Sequence, residues 1–239
     1  MSVKKHIPNA ITSMNLLSGV LGVIVSLEGH VETGFLLMLA AGGFDFLDGF
    51  AARLLKVTSE IGKELDSLSD LVSFGVLPAV MMYEVMAMGG IGWPRFLVLV
   101  LPVFSGLRLA KFNTDSRQSS SFIGLPTPAA ALLSGSLALF LLKSGALSAG
   151  LLSIVLPLVA AVLSALEVSE IPMFSMKIKK GGALFDIKRT VFFSVSAIMV
   201  IITVMLNLHW SFALVLIFGF YILENLLFAL APNSSLNEP

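Results

Sequence analysis

Runs of apolar residues long enough to cross a lipid bilayer follow one another along almost the whole chain. A membrane-spanning helix needs about 20 such residues, because the hydrocarbon layer is about 30 Å thick. Only 13% of the 239 residues are charged, against roughly 25% in soluble domains. The sequence therefore predicts an all-α integral membrane protein of about eight helices. We place them at residues 9–28, 33–57, 65–87, 91–112, 127–143, 147–166, 188–207 and 209–231.

The basic residues divide unequally between the two ends of these helices. With the N-terminus in the cytoplasm, every lysine and arginine except Arg95 and Lys143 lies on the cytoplasmic side, as the positive-inside rule requires. This division needs an even number of helices, so a count of six stays open if the last pair is misassigned. Both termini are then cytoplasmic. Residues 9–28 are interpreted as a retained first helix rather than a signal peptide, because more membrane helices follow.

Composition excludes several kinds of function. The chain has no cysteine, so it has neither disulfides nor thiolate metal sites. Its formal net charge is zero, which removes the electrostatic basis for binding nucleic acid. The three histidines are far apart in the sequence, so a histidine metal cluster is not expected. The segment 167–189 mixes lysines with apolar residues, which is typical either of an interfacial segment at a lipid surface or of a plain loop.

Four aspartates occur at helical spacings near the cytoplasmic boundary. Asp45 and Asp48 are three residues apart and share one face of the second helix, while Asp66 and Asp70 are four apart on the third. Carboxylates gathered in this way repel one another and are costly within a membrane helix. Arg53 supplies one counter-charge, and hard divalent cations, which prefer carboxylate oxygens, would supply more. The sequence thus predicts a divalent metal site, with small residues such as Gly42, Gly43, Gly49 and Ala52 allowing helices or a ligand to approach closely.

This segment resembles the signature of the CDP-alcohol phosphotransferase family. The pattern is D-x-x-D-G-x-x-A-R, then eight residues, then G-x-x-x-D-x-x-x-D, and every fixed position is present between Asp45 and Asp70. The resemblance implies a six-helix, membrane-embedded core opening to the cytoplasm, here about 8–166, within a single domain of residues 1–239. The resemblance also implies a homodimer. The apolar runs add a C-terminal helix pair at about 188–231.

The resemblance also implies roles for individual residues. Asp45, Asp48, Asp66 and Asp70 match the metal-binding aspartates, which hold Mg²⁺ or Mn²⁺, two ions per site. Asp70 matches the general base that acts on the acceptor hydroxyl. The positions matching those that contact the CDP moiety are Gly49, Ala52, Arg53 and Gly62, with Gly62 expected in the turn between the two halves of the cluster. Asn9 and Thr12, in the PNAIT run at 8–12, are further candidates for holding the nucleotide.

Local runs outside the signature favour the family members that use serine. SLSDLVSFG at 67–75, GLRLAKFN at 106–113 and FIGLPTPAAA at 122–131 are similar to runs in the bacterial, membrane-embedded serine enzymes, with Lys111 in place of an arginine. A serine acceptor brings a carboxylate that Arg108 or Lys111 would bind. The candidates for substrate binding here are Ser67, Arg108, Lys111 and Asn113. The resemblance thus implies transfer of a phosphatidyl group from CDP-diacylglycerol to L-serine in the bacterial inner membrane.

Other functions remain open from the sequence. The same chemistry can use another alcohol or a CDP-activated archaeol lipid. A cation transporter would also carry carboxylates in membrane helices, although they would more naturally lie near the midplane. Glu224 and Asn225, inside the last predicted helix, are interpreted as contacts with a base near 188–189 or at a dimer interface.

Overall fold

The computed structural model describes residues 6–57, 59–115, 122–145, 148–173 and 187–230. Its α-helices are α1 His6–Leu27, α2 Val31–Leu55, α3 Glu60–Asp70, α4 Leu77–Met88, α5 Val100–Thr114, α6 Thr127–Ser144, α7 Ala149–Val168, α8 Ile187–Met205 and α9 Ser211–Leu230. A π-helical segment, Leu71–Val76, joins α3 to α4, and a 3-10 helix, Trp93–Leu99, leads into α5. The strands β1 (Phe122–Ile123) and β2 (Pro172–Met173) form one short antiparallel pair.

Seven helical segments in the described residues are long and apolar enough to span a membrane. They correspond to seven of the eight predicted spans. The remaining span corresponds to α8, whose described apolar part, Thr190–Met205, is shorter. The chain is an all-α, multi-pass integral membrane protein, as the sequence predicts. Lys4, Lys5, Arg117 and most of the segment 167–189 lie outside the described residues.

The third span begins earlier than predicted, at Glu60 rather than at residue 65. Ser59 caps this helix, because its side chain accepts a hydrogen bond from the backbone N–H of Gly62 at 2.8 Å. Gly62 therefore lies in the first turn of α3. The expectation that it occupies a connecting turn was wrong, because hydropathy alone does not detect a polar helical turn.

Helix α1 packs along α2 and against the segment that joins α3 to α4. A Cβ added at Gly19 would lie 2.3 Å from the hydroxyl of Ser73, so glycine is needed for this close approach. By contrast, a Cβ at Gly43 would meet nothing within 4 Å, and one at Gly42 would meet only the Phe74 ring at 3.8 Å. The expectation that Gly42 and Gly43 allow a close approach between helices is therefore not met.

The described spans run alternately up and down, with α3 and α4 forming one span, so the helical bundle has two distinct ends. The ends of α2, α5 and α7 lie together with the starts of α1, α3 and α6, and this end carries the aspartates. At the opposite end Lys143 on α6 forms an ion pair with Glu32 on α2. His209, just before α9, places its Nε2 3.7 Å from the second oxygen of Glu32. The C-terminal pair is attached through α9, which packs on α6, while α8 packs on α9.

Candidate active site

Three aspartates meet where the last turns of α2 face the first turns of α3. One carboxylate oxygen from each of Asp45, Asp48 and Asp66 lies within 4.8 Å of the others. The spacing of three residues puts the first two on one helix face, and the position of α3 beside α2 brings the third opposite them. Carboxylates so close repel one another, and a hard divalent cation is the ion that oxygen ligands of this kind bind. The cluster therefore fits a divalent metal ion.

Asp70 ends α3 one helical turn beyond Asp66, directly before the π-helical segment. It is not one of the three clustered carboxylates, although it lies within electrostatic range of them. The Nδ2 of Asn15 donates a hydrogen bond to its Oδ1 at 3.2 Å. The π-helical segment follows this residue directly within one continuous span, and such segments are frequent at functional sites.

Helix α1 supplies polar groups to both aspartate-bearing helices. The Thr12 hydroxyl donates to Oδ2 of Asp48 at 2.6 Å, and Asn15, three residues later on the same face, reaches Asp70. The backbone carbonyl of Asn15 in turn accepts a hydrogen bond from the Ser73 hydroxyl at 3.1 Å. Thr12 and Asn15 are both buried. Sequence analysis singled out Thr12 but missed Asn15, whose signal was a second polar residue at helical spacing in an apolar helix.

A cavity of about 580 Å³ opens beside the cluster, which is within the size range of small-molecule sites. Of the predicted site residues, those that line it are Asn9, Thr12, Asp48, Gly49, Ala52, Gly62 and Asp66. Lining residues that the sequence-based prediction did not name are Pro8, Val57, Ser59, Glu60 and Lys63. A Cβ at Gly62 would lie 2.9 Å from Oδ1 of Asn9, so glycine permits this contact between α3 and α1.

Five residues predicted to bind substrate do not line this cavity, namely Arg53, Ser67, Arg108, Lys111 and Asn113. Arg53 is exposed, and its Nε donates to the carbonyl of Gly49 on its own helix at 2.9 Å. Asn113 donates through Nδ2 to the Ser67 hydroxyl at 2.8 Å, which ties α5 to α3. The Nζ of Lys111 lies 3.9 Å from a carboxylate oxygen of Glu170. Their assignment to substrate binding stays a prediction.

Arg108 lies in a separate buried cluster between α5, α6 and α7. Its side chain is buried, and its Nη1 donates to the hydroxyl of Thr127 at 3.4 Å. One turn earlier on α5, the hydroxyl of Ser105 lies 2.9 Å and 3.1 Å from the two carboxylate oxygens of Glu167. Sequence analysis did not name Ser105, Thr127 or Glu167, although a lone carboxylate near the end of an apolar helix was a usable signal.

Comparison with known proteins agrees with the signature. A family model described as CDP-alcohol phosphatidyltransferase matches residues 5–172. The chain is 37% identical over 128 residues to the CDP-diacylglycerol–serine O-phosphatidyltransferase of Bacillus subtilis, covering 53% of this chain and 72% of that protein. It is 38% identical over 134 residues to the protein of the same name from Mycobacterium leprae, covering 53% of this chain and 44% of the relative.

An archaeal relative is equally similar. The chain is 39% identical over 132 residues to the archaetidylserine synthase of Methanothermobacter thermautotrophicus, covering 53% of this chain and 54% of that protein. The chain thus spans about half the length of this relative and of the mycobacterial one.

Proposed function

This chain belongs to the CDP-alcohol phosphatidyltransferase family, and we propose that it transfers the phosphatidyl group of CDP-diacylglycerol to L-serine, releasing CMP. The observation that carries the proposal is the cluster of Asp45, Asp48 and Asp66, of which Asp48 and Asp66 line a cavity large enough for a nucleotide. The relatives support serine as the acceptor, because the names of all three include serine.

The clustered aspartates would hold the metal. We assign Asp45, Asp48 and Asp66, with Asp70 beside them, to two ions of Mg²⁺ or Mn²⁺. Divalent ions bound there would neutralise the pyrophosphate oxygens and stabilise CMP as a leaving group. The cavity residues would hold the nucleotide, with Gly49 leaving room for it, since a Cβ there would meet nothing within 4 Å.

Asp70 is the proposed general base. Its carboxylate would take the proton of the serine hydroxyl while that oxygen attacks the lipid-side phosphorus, and the bond from this phosphorus to the CMP oxygen would break. Asn15 bonds one carboxylate oxygen of Asp70, which leaves the other for the acceptor. No covalent enzyme intermediate is needed, because one displacement accounts for both products.

The site would face the cytoplasm of a bacterial inner membrane, with the enzyme acting as a homodimer. The excess of basic residues at the aspartate end supports this orientation. Serine and the CDP headgroup, both strongly polar, would then reach the site from water, while the acyl chains of the donor stay in the bilayer.

A second donor has a specific observation in its favour. The similarity to an archaetidylserine synthase leaves a CDP-activated ether lipid as the alternative donor, with serine still the acceptor. A cation transporter is the alternative from a different class, and the comparisons do not support it, because the matching relatives are named as a transferase or a synthase.

The test is CMP release by the purified protein in detergent with Mn²⁺ or Mg²⁺. Serine, glycerol 3-phosphate, inositol and choline are compared side by side, each with a diacyl and an archaeol donor. Release only with serine and metal supports the proposal. Release with another acceptor instead would keep the aspartate chemistry and reject serine, whereas no release by folded protein with any acceptor would reject both.

A further inference from the structure

A buried pair of opposite charges lies behind the aspartates and is not used in the transfer step described above. We call Ser105, Arg108, Thr127 and Glu167 the Arg108 cluster. Glu167 is 1% exposed and Arg108 is 7% exposed, which is rare for charged residues unless they are compensated. Three helices supply these residues, so the cluster forms only in the folded protein.

The carboxylate of Glu167 is held firmly in place. Its oxygens accept from the Ser105 hydroxyl, and the backbone around it is fixed by the segment that precedes α6. The backbone N–H of Leu125 donates to the carbonyl of Leu166 at 2.9 Å. Next to it, Gly124 has a φ of +78°, and a Cβ at this position would lie 2.4 Å from the carbonyl oxygen of Glu167. Glu167 is thus a carboxyl group held in a fixed position rather than a mobile surface group.

The guanidinium of Arg108 is incompletely bonded. Its Nη1 makes one long hydrogen bond to Thr127, and among the described residues its buried Nε has no hydrogen-bond partner. Helix α5 packs against the π-helical segment that follows Asp70, where a Cβ at Gly75 would lie 3.1 Å from the Cβ of Ser105, one turn before Arg108. A buried donor without a partner is costly, so this guanidinium is suited to an anionic oxygen delivered close to Asp70.

We propose that Arg108 binds the carboxylate of the acceptor and that Glu167 sets the selectivity for a zwitterionic amino alcohol over a phosphomonoester. The proposal rests on the proposed function. With Glu167 ionised, Arg108 and Glu167 together carry no net charge, which matches an acceptor whose carboxylate and ammonium also cancel. A phosphomonoester carries about −1.5 to −2 charges near neutral pH and meets the repulsion of Glu167 without bringing a compensating cation. Glu167 is therefore a specificity-determining residue and not a catalytic one.

The experiment compares Glu167→Gln with wild type. We measure kcat/KM for serine and for glycerol 3-phosphate, with CDP-diacylglycerol and Mn²⁺ held at saturation. The expected result is that the ratio of the two values, serine over glycerol 3-phosphate, falls by at least about tenfold, because like charges brought together strongly disfavour a wrong partner. Glu84→Gln is the matched control. It removes a half-buried carboxylate 14 residues beyond Asp70 along the same span, about 21 Å away, and should leave the ratio unchanged.

The outcomes separate this inference from the proposed function. If wild type makes no lipid product from serine, the proposed function fails. If wild type uses serine but Glu167→Gln keeps the wild-type ratio, or loses both acceptors equally, only the selectivity role of Glu167 fails. Binding of CDP with Mn²⁺ verifies the fold of each variant, because Glu167 does not line the cavity.

Ser105→Ala gives a second test in case the Glu167→Gln protein does not fold and cannot be purified. It keeps both charges but removes the hydroxyl that holds the carboxylate. The expected result is a severalfold higher KM for serine with glycerol 3-phosphate still rejected. An unchanged serine KM in this variant would contradict the proposal.

Discussion

The hydrogen bond from Asn15 to Asp70 offers a sharp test of how the site is organised. Asn15 is fully buried on α1, and its Nδ2 lies 3.2 Å from Oδ1 of Asp70. We predict that Asn15→Leu lowers kcat while leaving the KM for CDP-diacylglycerol nearly unchanged, because Asn15 does not line the cavity. A hydrogen bond to a charged group contributes about 1.5–3 kcal/mol, which corresponds to a loss of about 10- to 100-fold in turnover.

Loss of folding should not produce this result. Among the described residues, Oδ1 of Asn15 is buried without a hydrogen-bond partner. Leucine therefore removes this unsatisfied oxygen together with the Nδ2 that bonds Asp70, and the two losses partly offset each other in stability. Ser26→Ala is the matched control on the same helix. Ser26 is also fully buried, and its Oγ has no partner in the described part of the chain. It lies 11 residues further on, about 16 Å away, and this variant should retain wild-type turnover.

The assay is CMP release at saturating serine and donor, together with Mn²⁺ titration in the presence of CDP. In the Asp70→Asn background, Asn15→Leu should not change Mn²⁺ affinity further, since the carboxylate it orients is already gone. Turnover of Asn15→Leu within twofold of wild type would refute the reasoning. An equal loss in Ser26→Ala would show that packing, and not the bond to Asp70, is responsible.

Three further changes should give distinct results. Asp70→Asn should abolish CMP release while CDP binding, followed by calorimetry, persists; wild-type turnover would remove its role as base. Gly124→Ala should lower the free energy of unfolding by about 1–3 kcal/mol, measured by thermal unfolding in detergent, because its Cβ would lie 2.4 Å from the Glu167 carbonyl oxygen. Lys143→Ala breaks the half-exposed ion pair with Glu32 at the opposite end; it should cost no more than about 1 kcal/mol and leave turnover unchanged, whereas impaired turnover would show that the two ends are coupled.

The membrane helices could be predicted from the sequence because length and apolarity alone determine what can span a bilayer. The aspartate cluster could be predicted because a spacing of three or four residues fixes a helix face whatever the surroundings. The start of α3 was missed, since its first turn is polar. The N-cap serine at position 59 was visible in the sequence but was not weighed against hydropathy.

The remaining features depend on contacts between distant segments. The π-helical segment after Asp70 is stabilised where Ser73 packs against Gly19 and donates to the carbonyl of Asn15, which no local pattern reveals. Glu167 was predicted as the first residue of the segment 167–189, either an interfacial segment or a loop. It lies instead in the last turn of α7, where it accepts a hydrogen bond from Ser105 on α5. A side chain's partner can be predicted from periodicity only within one helix, so partners contributed by other helices were missed.

The most direct test of the account follows the phosphorus atom itself. CDP-diacylglycerol labelled with ³²P at the lipid-side phosphate is incubated with the protein, serine and Mn²⁺, and the lipid and aqueous products are separated. The account predicts that the label appears in a serine-containing lipid, with one CMP released for each lipid formed and none without metal. Label recovered in phosphatidic acid, or CMP released without incorporation of serine, would contradict the transfer reaction proposed for the aspartate cluster.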